Sequence, residues 1–264
     1  MEKSEKEYGK LSLDQFKLLA QKLPELRKKL KELPKLLRTI PEEEKNEILS
    51  KDLSWAKIYE RSFNEQLALL VCALDRADQL HEAAQSDDPT QAVIDLFGND
   101  EFDDFNSGER SIAQKREAVG LISALKHNML SIMLFDRTLD KMVEEVRAGN
   151  DESLFLAVSI DRSIIACQTI ADRIARAELE NDEDFFHGLS NALICGPSEK
   201  YWELYKDLRY AFYLLRDSGI DRMKAAQLEN LFVHQLKLYS DTHGAQRNIR
   251  ELFTKSKKKS TASK

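Results

Sequence analysis

Glycine, proline and cysteine are all scarce in this sequence. Nine glycines and five prolines in 264 residues leave few turn residues, and Leu, Ala, Glu, Lys and Arg dominate instead, which points to an all-α class. The three cysteines, Cys72, Cys167 and Cys195, are odd in number and far apart. They exclude a disulfide framework and offer no CxxC pair for zinc or redox work, so they read as small core residues in a reducing compartment. No run approaches 18 uncharged apolar residues, so no transmembrane span is expected, and the opening MEKSEKEYGK lacks the apolar core of a signal peptide. There is no GxSxG, GxGxxG or GxxxxGK, which removes the nucleophile elbow and the phosphate-cradling loops. These absences describe a soluble cytoplasmic protein.

What is present is 42% apolar and 33% charged, with a net charge of −6. That balance suits a globular chain with a real core and argues against coating nucleic acid over the whole surface. The expected organisation is an amphipathic helical segment at 1–50, a central antiparallel bundle at 51–196, a smaller helical unit at 197–254 and a disordered basic tail at 255–264.

The bundle is organised around the stretch from Ser111 to Ala148. Steps of four and three give Ala118, Ile122, Leu125, Met129, Ile132, Asp136, Leu139, Val143 and Val146, apolar at every position but Asp136. This predicts one long helix, about 50 Å in length. A core-facing carboxylate is costly unless it is paired or solvated. Gly149-Asn150-Asp151 makes a short turn into a second long helix at 151–180, and antiparallel packing about that turn sets Asp136 level with Ile165, near Arg162. Asp136 therefore reads as a cross-helix ion pair fixing the register of two helices. A further long helix is expected from Asp52 to Ala84, with His81 on its seam. Asp-Arg after an apolar residue recurs at Leu74, Phe135, Ile160, Ala171 and Ile220. Neighbours do not face one another on a helix, so these suggest pairs between helices.

Three surfaces stand out as contact candidates. The segment around Leu26–Ile40 carries Arg27, Lys28, Lys29, Lys31, Lys35 and Arg38 on its outer face, a basic amphipathic pattern. Between helices, Asp100, Glu101, Asp103 and Asp104 interleave with Phe97, Phe102 and Phe105. Such an acidic, aromatic loop suits a protein partner with a basic groove. Its calcium-like spacing Asp104, Asn106, Gly108 fails because Lys115 replaces the closing Glu. The last helix presents Gln246, Arg247, Asn248 and Arg250, followed by Lys255, Lys257, Lys258 and Lys259. Arg, Asn and Gln read base edges, and a lysine tail suits phosphates.

For catalysis, Arg76-x4-His81 resembles the Arg-x(4–6)-His motif of HEPN-type ribonucleases, helical-bundle proteins often used as toxins or abortive-infection effectors. The resemblance implies that His81 would act on the 2′-hydroxyl or leaving group and Arg76 would stabilise the phosphorane. Here the pair falls in the last turns of an N-terminal-half helix, whereas the family's motif opens a late one. Asp78-x-x-His81 and Asp184-x-x-His187 have the one-turn spacing of di-metal helical bundles but carry the shorter Asp where such bundles use Glu. No metal and no cofactor is expected. The sequence therefore reads as a non-catalytic interaction or regulatory protein with a protein partner, with nucleic acid contacted through the C-terminal helix. The alternative is a HEPN-like ribonuclease using Arg76 and His81, and homo-oligomers are compatible with the long apolar seams.

Overall fold

The structure, a computed structural model of the chain, describes residues 53–73, 76–98, 112–197, 202–217, 219–220 and 222–261. Among these there are helices and connecting turns and no strand. A 3₁₀ segment, Leu53–Glu60, precedes α1 (Phe63–Ala73), α2 (Ala77–Ala84), α3 (Pro89–Gly98), α4 (Ile112–Phe135), α5 (Leu139–Arg147) and α6 (Asp151–Ile160). A second 3₁₀ turn, Arg162–Ala166, leads into α7 (Gln168–Glu180) and α8 (Glu183–Cys195). Then come α9 (Trp202–Asp217), α10 (Ala225–Glu229) continued by a π turn at Asn230–Gln235, and α11 (Ala245–Thr261). The fold is all-α, as composition and period require.

Two compact units divide the chain. One holds Leu130–Arg137 with the described part of Ser198–Lys264, the other the described part of Leu26–Met129 with Thr138–Pro197.

In the second of these, α5 and α6 form a hairpin. Gly149, at φ +96, lets its own N–H bond to Val146 O (2.9 Å) while the N–H of Asn150 bonds to Glu145 O (3.0 Å), the left-handed stop that glycine permits after a helix. Asn150 then accepts the N–H of Ser153 to start α6, and Asp182 does the same for Phe185 at the start of α8. The apolar faces of α5 and α6 bury Leu139, Met142, Val143, Val146, Leu154 and Val158. α8 packs on α6, so closely at Gly188 that a Cβ there would stand 2.6 Å from the Phe155 ring.

In the other unit, α9 contributes Leu208, Phe212 and Leu215, and α11 contributes Ala245, Ile249 and Phe253, to one apolar core with Leu228, Leu231 and Phe232. Phe212 sits at its centre, edge-on to Phe232 and to Phe253, each at 5.1 Å. Gly219 (φ +89) ends α9 as Gly149 ends α5, with Ile220 N bonded to Leu215 O at 2.8 Å.

Several expected long helices are interrupted. The stretch from Ser111 to Ala148 is two helices, parted at Asp136–Thr138, although Ile122, Met129, Ile132, Leu139, Val143 and Val146 are buried as the seam requires. Asp136 takes φ +61, a left-handed conformation that Asp tolerates better than most residues. The expected helix at 52–84 is a 3₁₀ segment followed by α1 and α2, and that at 151–180 is broken after Ile160, where Asp161 caps the following turn. Asp136 does not meet Arg162, which is exposed; its ion-pair partner is Arg216 of α9. The broken hairpin removes the level pairing from which Arg162 was inferred. Cys167 is buried, but Cys72 and Cys195 are exposed, so only one of the three thiols is a core residue.

Candidate functional site

The C-terminal helix keeps its expected polar face. Ala245, Ile249 and Phe253 recur by four, and their burial fixes the rotation of α11. Gln246, Arg247, Asn248 and Arg250 are thereby left exposed. Two of them are engaged locally: Arg247 Nε donates to Glu251 Oε1 at 2.9 Å, and Gln246 Nε2 donates to Glu229 Oε2 at 3.0 Å. The backbone of α11 runs to Thr261, while the side chains of Lys255, Lys257, Lys258 and Lys259 lie outside the described residues. Charge is segregated along the chain. Residues 202–264 carry 13 Lys and Arg against 7 Asp and Glu, and residues 1–201 carry 27 against 39.

Arg76 and His81 each contact a glutamine of their own stretch of chain. Arg76 precedes α2 and its Nη1 donates to Gln79 Oε1 at 3.3 Å, whereas the exposed His81 ring meets Gln85 Nε2 at 2.8 Å. His81 is thus off the core side of its helix, not on a buried seam. Asp78, Asp184 and His187 are exposed as well, and among the described residues no three His, Cys, Asp or Glu side chains gather as metal ligands. Phe97 lies on α3 with its side chain outside the described residues, as are Phe102, Asp103, Asp104 and Phe105 and the basic segment from Arg27 to Arg38.

The structure also assembles a polar cluster that no spacing announced. The chain leaves α6 at Asp161, whose carboxylate turns inward and collects four donors. Tyr59 OH donates to Oδ2 at 2.5 Å, His127 Nδ1 lies 2.9 Å from the same oxygen, and the N–H and hydroxyl of Ser163 donate to Oδ1 at 3.0 and 2.6 Å. Burial raises the Asp161 pKa, but the hydrogen bond and charge of His127 and the bonds from Ser163 and Tyr59 outweigh it and hold the carboxyl below its usual range. Tyr59 is fully buried, and burial, followed by the charge of Asp161, pushes its phenol well up. An ionised Asp161 has no proton to give, so Nδ1 of the half-buried His127 ring carries the hydrogen of this contact.

Beside it, Glu60 accepts from Cys167 Sγ (2.9 Å), Thr169 N (2.8 Å) and Arg147 Nη2 (2.6 Å). Burial acts against the Glu60 charge, but these donors lower its pKa overall. Burial, then the Glu60 hydrogen bond, drives the Cys167 thiol up to about 12, which leaves it protonated and unreactive as a nucleophile. Residues 59–60, 127, 147 and 161–169 are far apart in sequence, so only the fold brings them together. Asp161 belongs to the recurring Asp-Arg pattern, the one signal that touched the cluster.

Comparison with models of known protein families, with curated proteins and with solved structures gives no match for this chain.

Proposed function

We propose that this is a non-catalytic, cytoplasmic binding protein that engages an anionic polymer, nucleic acid, through its C-terminal helix. The observation that supports the reading is the excess of basic residues after position 201 in a chain of net charge −6, combined with the exposed Gln246, Arg247, Asn248 and Arg250 on a helix anchored by its opposite face. A fixed helix with Arg and Asn outward can set its register on phosphates and reach base edges. The acidic remainder of the chain repels the same polymer elsewhere, which confines contact to one end. A protein partner at the acidic, aromatic stretch 97–105 is compatible with this arrangement.

Fluorescence anisotropy with labelled single-stranded RNA and duplex DNA tests the reading. Binding should weaken steeply between about 50 mM and about 200 mM salt. The double substitution Arg247→Glu and Arg250→Glu should cost at least about tenfold in affinity. Equal binding by wild type and double variant, or none at low salt, rejects it. No helix among the described residues is long and apolar enough to cross a membrane.

A further inference from the structure

Three of the five large apolar residues that stand exposed among the described residues fall on one stretch: Leu179 at 84%, Phe186 at 37% and Ile194 at 74%. Leu179 lies in the last turn of α7, and the other two lie on α8. α8 turns Phe185 and Leu189 inward and packs on α6 at Gly188. Its outer row is therefore Phe186, Ser190 and Ile194, each a turn from the next and all exposed. Single apolar residues on a surface are ordinary, but a row of them rimmed by charge marks a contact surface. The rim here has one sign. Residues 178–184 hold five Asp and Glu and no Lys or Arg. Asp182 is engaged, capping α8 and meeting Arg173. Glu178, Glu180, Glu183 and Asp184 are exposed and have no ion-pair partner among the described residues.

We propose that this face is the docking surface for the chain's own basic amphipathic segment, residues 26–40. The segment lies outside the described residues, and its sequence supplies what the face lacks. Leu26, Leu30, Leu33 and Leu37 recur by four and three, and six Lys and Arg against one Glu accompany them between positions 27 and 38. Wound as a helix, Leu30 and Leu37 stand about 10 Å apart, close to the ~12 Å between Phe186 and Ile194 along α8. Basic side chains on the flanks meet the carboxylates around Leu179 and relieve their mutual repulsion. Reach allows the contact in cis. Glu60, which ends the first 3₁₀ segment, accepts from Thr169 N at 2.8 Å near the start of α7. Leu179 lies about 15 Å further along α7. Residues 41–52 extend to about 40 Å, so a segment ending at Ile40 can lie on α8 of its own chain.

Cys195, exposed beside Ile194, reports on the contact, and the exposed Cys72 serves as reference. The test is the rate of Cys195 alkylation by iodoacetamide in the full chain, read by mass spectrometry relative to Cys72. Leu30→Glu with Leu37→Glu should release the segment and speed Cys195 by at least about tenfold over wild type. Arg27→Glu, Lys29→Glu and Arg38→Glu together should do the same without touching the apolar seam, and keep the test alive if the leucine variant is insoluble. Adding Glu178→Lys, Glu180→Lys and Glu183→Lys to that charge variant should restore the slow wild-type rate. Equal Cys195 rates in wild type and both segment variants overturn the proposal, as does a charge exchange that restores no protection. Protection that disappears on dilution assigns the face to the segment of a second copy and overturns it too.

Discussion

Asn128 accepts the amide hydrogen of Leu139 at 2.7 Å and donates through its Nδ2 to Gln66 at 2.8 Å, all within a buried setting. One side-chain amide therefore starts α5, ties it to α4 and ties both to α1.

Replacing Asn128 by Ala leaves the Leu139 N–H and the Gln66 carbonyl without this partner in a site closed to water. Unmet buried groups cost roughly 1–3 kcal/mol each. Urea unfolding of Asn128→Ala should show a loss of about 3 kcal/mol. A loss under about 1 kcal/mol would mean that another donor or water replaces the amide.

Tyr59→Phe removes one of the four donors to Asp161 while keeping the buried ring. The expected loss is about 1–2 kcal/mol at neutral pH. Asp161 has a depressed carboxyl in the folded protein, so its contribution is present above the unfolded carboxyl pKa and is lost as pH falls through the folded one. With less depression, the variant should also acid-unfold at a higher pH than wild type. An unchanged acid midpoint by circular dichroism would show that His127 and Ser163 alone set the charge.

Asp136 behaves in the opposite sense. Burial pushes its carboxyl up to about 6 against the pull of Arg216, Arg209 and Arg137. A raised acid binds its proton more tightly folded than unfolded, so its contribution to stability falls as pH rises from about 4 to about 6. Wild type should therefore lose more stability than Asp136→Asn between about pH 4.5 and about pH 7.5, by about 2 kcal/mol. Parallel stability–pH curves for the two proteins would refute this.

The sequence was most informative where structure is local. Gly149 marks the end of α5 because a left-handed residue closes the helix there, and Phe212 lies on the face that four-three spacing assigns to a core. The same spacing found the buried side of α4 and α5 but missed the bend between them. Asp136 is neither glycine nor proline, and the contacts that hold the bend come from Arg216 and Asn128, one of them eighty residues away. The exposed face of α11 was legible because Ala245, Ile249 and Phe253 fix its rotation. The Tyr59–His127–Asp161 cluster was not, since its members are separated by up to 102 residues and share no spacing.

That separation sets the order of assembly during synthesis. Tyr59 and Glu60 sit side by side on the first 3₁₀ segment and grip the far side of the unit through Asp161, Cys167 and Thr169. On the ribosome, the segment must wait more than a hundred residues for its partners, while the α5–α6 hairpin closes as soon as its own turn has emerged. Late, non-local closure slows folding and leaves the waiting apolar surface open to other chains.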